Sequence, residues 1–223
     1  MKALLLAAGR GERMGALTDH CPKPLLSIGK ERLIERHLKR LKAAGVEEIV
    51  VNLHYLGGQI KAQLGDGGSY GVRIAYSEEA SLLDTGGGAL QALSLLGNDA
   101  PFLMISSDVA TDFDFRALTQ LTPELGHLVL VQNPEHHPCG DFALKSNQAV
   151  LLGSELTYSG IGVIAPALIR SSKKVRFAMR EVLFPAAEQG LLTGCIHDGY
   201  WSDVGTPDRL RDTQTDFEAG LCC

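Results

Sequence analysis

The residues with chemical potential lie first in Leu6-Ala7-Ala8-Gly9-Arg10-Gly11-Glu12-Arg13-Met14-Gly15, which follows a short apolar run. Small residues after a buried strand let a backbone approach a ligand closely. The N–H groups of Gly9 and Gly11 suit phosphate oxygens, as in turn nests, and Arg10 and Arg13 add charge suited to a polyphosphate. Lys23 stands between Pro22 and Pro24, which stiffen the local backbone and hold its ammonium. The segment is a poor dinucleotide fingerprint, because Arg13 and Met14 stand where a third glycine belongs, and it lacks the Gly-Lys-Ser/Thr of a Walker A loop. A glycine-rich turn with solvated arginines is the competing reading; the clamped lysine favours polyphosphate binding. Two carboxylates add to this. Asp108 lies just past an apolar run, and Asp203 lies far away in a turn flanked by Trp201 and Gly205. Mg²⁺ bound with a nucleotide takes one or two protein carboxylates besides phosphate oxygens, and two aspartates from distant loops suit that. On residues alone, each aspartate also reads as a turn cap.

The elements that must position these groups alternate. Apolar runs at 2–7, 49–53, 72–76 and 101–106 read as buried strands, and Leu33, Ile34, His37, Leu38 and Leu41 share one helical face that Gly45 ends. Short helices are expected at 57–64 and from the glycines 86–88 to about Leu96. Buried strands between helices imply an α/β fold with a mostly parallel sheet covered on both faces. In such sheets ligands bind at the carboxyl ends of strands, which is where Asp108 falls. The second half gives strands at 128–131, 149–152, 160–164 and near 192–197, and helices near 177–189 and 207–217. The chain of 223 residues reads as one domain, with 1–125 as a nucleotide-binding half and 126–223 as the half that binds the second substrate and supplies the second metal ligand.

Composition narrows the partners. Lys and Arg total 21 against 26 Asp and Glu, a net charge of −5, which argues against nucleic acid. No apolar run approaches the ~20 residues of a membrane span, and Arg10, Glu12 and Arg13 follow the apolar start too soon for a signal peptide. Five cysteines without a Cys-x-x-Cys read as free thiols in a cytoplasmic protein. The terminal Cys222-Cys223 has no polybasic segment before it and is not read as a lipidation site. A monomer or small homo-oligomer is expected.

Leu6–Met14 followed by Pro22-Lys23-Pro24-Leu25 resembles the signature of the sugar-phosphate nucleotidyltransferases. The resemblance runs through Asp84-Thr85-Gly86-Gly87-Gly88, Ser107-Asp108-Val109, Asn133-Pro134, His136-His137, Gly140-Asp141-Phe142, Ser159-Gly160-Ile161 and Trp201-Ser202-Asp203-Val204-Gly205-Thr206. Within the family it is nearest to the uridylyltransferase branch that acts on N-acetylmuramate 1-phosphate in cell-wall recycling; guanylyl- or thymidylyltransferases are the neighbouring alternatives, and a catalytically dead nucleotide sensor is a more distant one. The resemblance implies a Rossmann-like fold, a divalent metal (Mg²⁺) on Asp108 and Asp203, and UTP and a sugar 1-phosphate as substrates, with release of pyrophosphate. It places the nucleotide on Ala8, Gly9, Arg10, Gly11, Glu12, Arg13, Lys23, Asp84, Gly86 and Gly87, with Lys23 and Arg13 as the catalytic cations. Lys23, Arg13 and the metal would offset the repulsion between two phosphates. The 84–88 glycines would bring backbone groups to a base edge, with Asp84 as an acceptor; Asp84 also reads as a helix cap.

For the sugar, the candidates are Ser106, Asp141, Tyr158 and Ser159, with Gly140 and Gly160 offering backbone groups to an N-acetyl group. His136 and His137 read as a solvated loop pair. Gly15-Ala16 stand where related enzymes often carry Arg-Pro, and Ser106-Ser107 precede Asp108 where Asn-Gly is common, which puts sugar contacts at that position in doubt. The second lysine motif of thymidylyltransferases is absent.

Overall fold

A computed structural model describes residues 1–221; Cys222 and Cys223 lie outside the described residues. The strands are β1 (Ala3–Leu6), β2 (Ser27–Ile28), β3 (Glu31–Arg32), β4 (Glu48–Leu53), β5 (Arg73–Glu78), β6 (Phe102–Ser106), β7 (Val109–Thr111), β8 (Gly126–Gln132), β9 (Phe142–Leu144), β10 (Val150–Leu152), β11 (Leu156–Ile164), β12 (Leu192–Ile196) and β13 (Trp201–Asp203). The helices are α1 (Leu33–Ala43), α2 (Gly57–Leu64), α3 (Asp84–Leu96), α4 (Pro166–Arg170), α5 (Arg180–Glu188) and α6 (Pro207–Glu218).

Nine strands form one mixed sheet. Its path is β10-β9-β11-β6-β1-β4-β5, with β8 on β11 and β12 on β8. Strands β1, β4, β5 and β6 pair in parallel, as do β8 and β12. β11 runs against β6, β8 and β9, and β10 against β9, so only β10 and β11 oppose the others. The fold is therefore α/β and Rossmann-like, with a mostly parallel sheet, as the alternating runs implied.

The central strands β1, β4 and β6 are buried and nearly all apolar, with helices on both faces. β5, expected as a buried strand, is instead a largely exposed edge strand, because among the described residues no strand pairs with its outer side. Ile34, Leu38 and Leu41 of α1 and Ile60 and Leu64 of α2 join Leu5, Val51 and Ile105 on one face. Ala89, Ala92 and Leu93 of α3, with Leu168 of α4 and Leu183 of α5, join Leu4, Met104 and Leu130 on the other. A third cluster of Met14, Ile28, Leu33, Ala110 and Val204 ties the first loop to α6. Gly29 has φ +61, and a Cβ there would strike the Phe217 ring of α6; only glycine lets that helix close over the first loop.

The strand order positions the site. After β5 the chain returns to the other side of β1 as β6, so a topological switch point lies between β1 and β6, where ligands of open α/β sheets bind beyond the strand ends. Leu6 and Ser106, the last residues of the two strands, are register partners there. The small ribbon β7–β13 rises above this point and pairs Val109 with Asp203.

Candidate active site

Three cavities adjoin at Ser106, which borders all of them. The first, about 300 Å³, is floored by Ala7, Ala8, Gly9 and Gly11 and bordered by Lys23, Asp84 and Asp108. The second, about 470 Å³, lies between β11 and α5 and is bordered by Asp84, Asp141, Tyr158, Gly160 and Arg180. The third, about 380 Å³, carries Arg13, Asp108, His136, His137 and Asp203.

Lys23 is 8% exposed. Its Nζ donates to Oδ2 of Asp108 at 2.5 Å, an ion pair held in a short 3₁₀ turn after Pro22. Asp203 stands across the ribbon from Val109, and the Val204 N–H donates to the Asp108 carbonyl. Two carboxylates separated by 95 residues in sequence thus reach the same cavity. Oδ1 of Asp203 accepts from Arg209 Nη1 at 2.5 Å and lies 3.0 Å from His136 Nε2. Burial pulls the His136 imidazole below its usual value; Asp203 pulls the other way, and Arg209 and Arg13 add to the lowering. Among the described residues, Asp108 Oδ1 and Asp203 Oδ2 make no hydrogen bond or ion pair. One uncommitted oxygen on each of two neighbouring carboxylates is a donor set that fits a hard cation also held by phosphate oxygens.

Behind the first cavity runs a buried polar relay. The Ala7 N–H donates to Asn52 Oδ1 at 2.7 Å, Asn52 Nδ2 donates to Glu79 Oε1 at 2.7 Å, and Glu79 Oε2 accepts the Leu83 N–H at 2.9 Å. Glu79 is 5% exposed, so its anchoring is internal, and through Asn52 it ties the first loop to the segment that opens α3. Asp84 begins that helix with φ 66, a left-handed conformation costly for a non-glycine, and its Oδ1 accepts the Thr85 N–H. Its carboxylate thus takes the N–H of the next residue and also borders two cavities.

Several expected site residues face elsewhere. The N–H groups of Gly86 and Gly87 both donate to the Phe177 carbonyl, so they seat α3 against the 175–177 segment and are not available to a base. Arg10 lies over the Tyr55 ring at 5.6 Å, and neither it nor Glu12 borders the first cavity; Arg13 reaches the aspartate cavity instead. Ser159 is 1% exposed, and its hydroxyl donates to the Val129 carbonyl and accepts from the Ile161 N–H, since the β11 bulge leaves those groups unpaired. Gly140 donates its N–H to the His137 carbonyl in a left-handed turn. Asp141 faces the 470 Å³ cavity, but its oxygens take the His137 ring nitrogen and the Tyr158 N–H. The Tyr158 ring forms cavity wall, while its hydroxyl is buried without a partner, and burial pushes it well above the usual phenol range. His136 and His137 are partly solvated, as expected of a loop pair, and each imidazole also lies against an aspartate. Gly160, with φ +79, lets β11 pass close to Ser106, since a Cβ would stand 2.8 Å from its hydroxyl oxygen.

Sequence reasoning missed Glu79, Asn52, His136 and Arg209. Glu79 follows directly on β5, and Arg209 comes three residues after the helix cap Thr206, but neither position is marked by glycine or proline.

A cleft at a sheet switch point, with a clamped lysine on one carboxylate and a second carboxylate opposite, defines a nucleotide-handling transferase of the Rossmann-like class. The chain belongs to the nucleotidyl transferase family, whose family model matches residues 2–142. It is 48% identical, over 96% of this chain and 97% of the other, to an N-acetylmuramate alpha-1-phosphate uridylyltransferase from Neisseria meningitidis serogroup B. It is 30% identical over its whole length to a mannose-1-phosphate guanyltransferase from Aspergillus fumigatus, of which it spans 64%. The crystal structure of HddC from Yersinia pseudotuberculosis complexed with GMP-PN shares the fold with a TM-score of 0.79 at 20% identity, covering 97% of this chain and 99% of that one. No helix among the described residues is long and apolar enough to cross a membrane.

Proposed function

We propose that this chain transfers the uridylyl group of UTP to N-acetylmuramate 1-phosphate, forming UDP-N-acetylmuramate and pyrophosphate, as a cytoplasmic step of peptidoglycan recycling. The observation that carries the reading is the placement of Asp108 and Asp203 on one cavity, which adjoins the other two at Ser106. The relative that is 48% identical along nearly the whole of both chains supports the choice of substrates. In this reading residues 1–125 supply the nucleotide site, and residues 126–223 supply the sugar site and the second aspartate.

An oxygen of the sugar phosphate attacks the α-phosphorus, and the bond from that phosphorus to the bridging oxygen of pyrophosphate breaks. Both reactants are anionic, so the protein must offset repulsion that grows in the transition state. Lys23 brings an ammonium to the phosphates, and Arg13 brings a guanidinium from the aspartate cavity. The small residues Ala8, Gly9 and Gly11 let the triphosphate lie against the backbone, and the Asn52–Glu79 relay holds that loop still. The 470 Å³ cavity takes the sugar, within the size range of small-molecule sites. Asp108 and Asp203 would hold Mg²⁺, which supplies charge neutralisation and alignment of the phosphates when bound. The attacking phosphate is already a nucleophile and needs no general base.

The test is a pyrophosphate-release assay pairing UTP, thymidine triphosphate and GTP with N-acetylmuramate, N-acetylglucosamine, glucose and mannose 1-phosphates. The expected best pair is UTP with N-acetylmuramate 1-phosphate. A best pair of GTP with mannose 1-phosphate would replace this reading with a guanylyltransferase.

A further inference from the structure

The 470 Å³ cavity has one cation on its border, Arg180. Its floor is apolar, formed by Leu6, Met104, Phe142, Leu183 and Phe184. The Arg180 side chain makes no hydrogen bond or ion pair among the described residues. Its backbone position is nevertheless fixed: the preceding Met179 N–H donates to Thr85 Oγ1 at 2.9 Å, and the Phe177 carbonyl takes both Gly86 and Gly87. The segment 170–180 that leads into it holds Arg170, Lys173, Lys174, Arg176 and Arg180 and no acid, in a chain of net charge −5. Arg170 is tied to Asn98 and Lys174 to Glu181, and of the segment's five cations Arg180 is the one that borders the cavity.

Of the other cations near the cleft, Lys23 is on Asp108 and Arg209 is on Asp203. Arg13 borders the aspartate cavity and not this one. The two acids on this cavity already accept internal N–H groups, Asp84 from Thr85 and Asp141 from Tyr158.

We propose that Arg180 is the residue that selects a carboxylate-bearing sugar, by pairing with the lactyl carboxylate of N-acetylmuramate 1-phosphate in this cavity. The inference rests on the substrate reading above and deepens it. N-acetylmuramate differs from N-acetylglucosamine by a lactyl ether on O3, so the charge to be read lies away from the reacting phosphate. A carboxylate brought against an apolar floor loses hydration and needs a fixed cationic partner. A guanidinium offers two parallel N–H donors matched to the two carboxylate oxygens. The rest of the basic segment raises the local positive potential and favours the approach of a sugar phosphate with a third negative charge.

The experiment measures kcat/KM with UTP for N-acetylmuramate 1-phosphate and for N-acetylglucosamine 1-phosphate in the full chain and in Arg180→Met and Arg180→Lys. The expected result is a fall of about 10- to 100-fold in the ratio of the two values for Arg180→Met, the scale of a lost hydrogen-bonded charge contact. The loss should appear mainly in KM for the muramate, with partial recovery in Arg180→Lys. An unchanged ratio, whether both sugars fall together or neither does, overturns the role of Arg180 and leaves the substrate reading standing. A parent enzyme that turns over N-acetylglucosamine 1-phosphate far better than the muramate overturns the substrate reading itself, and this inference with it.

Discussion

The two sides of the cleft use polar groups in opposite ways. On the proposed nucleotide side, Ala8, Gly9, Gly11 and Lys23 face a cavity, and the groups that hold their loop (Asn52 and Glu79) sit behind in the core. On the proposed sugar side, Ser159, Gly140 and Asp141 spend their polar atoms holding the β11 bulge and the 136–141 loop. The 470 Å³ cavity proposed for the sugar has aromatic and apolar walls, the Ser106 and Thr85 hydroxyls, the carboxylates of Asp84 and Asp141, which each accept a backbone N–H, and one arginine. A loop that grips phosphate presents its backbone outward, so its composition shows its use. A loop that makes room for a bulky sugar needs rigid walls, and its polar residues go into rigidity.

The comparison breaks most sharply at the aspartates. Asp108→Asn and Asp203→Asn should each reduce turnover about 10³-fold, the scale of losing a charge aimed at the reacting phosphates. Their circular dichroism spectra should match the parent. Near-normal turnover with Mg²⁺ in either variant would remove that residue from the metal site.

A smaller effect sharpens the nucleotide side from behind. His37 of α1 is buried with neither ring nitrogen bonded. Burial lowers its imidazole to about 4, against the upward pull of the Val109 carbonyl and Asp108. The unfolded chain therefore takes up this proton more readily than the folded one. The stability contribution is complete above pH 6.5 and is lost as pH falls from 6.5 to about 4, by roughly 3 kcal/mol for this single group. Urea unfolding at pH 7 and pH 4.5 should show a shallower fall for His37→Leu than for the parent. Equal slopes would mean that His37 titrates normally.

Smallest is Ser159→Ala. Leaving the Val129 carbonyl and the Ile161 N–H without their partner should cost about 1–2 kcal/mol of stability, read as a Tm lower by several degrees. If Ser159 only braces the bulge, KM for the sugar phosphate stays within about twofold, since the cavity wall is unchanged. A large rise in KM without a change in Tm would return Ser159 to the sugar site.

The helix at 57–64 and the parallel strands were legible because their apolar spacing is local and glycines mark their ends. The first loop was legible for the same reason. The ribbon that joins the aspartates was not, because β7 and β13 are three residues each and are paired from segments far apart in the chain, Val109 with Asp203 at one end and Thr111 with Trp201 at the other. Gly86 and Gly87 resembled a ligand loop because close packing on the 175–177 segment demands the same missing side chain that a ligand would. The pairing of His136 and Arg209 with Asp203 depends on how α6 docks, through Ser202–Thr213 and Tyr200–Asp216, and no local pattern encodes it.

In the proposed function Lys23 contributes to the chemical step as well as to binding, and steady-state kinetics of Lys23→Ala with varied UTP separates the two. A charge aimed at the reacting phosphates stabilises the transition state more than the ground state, so kcat should fall about 10²-fold or more while KM for UTP rises only a few-fold. A variant with unchanged kcat and a raised KM would contradict the account and make Lys23 a binding residue alone.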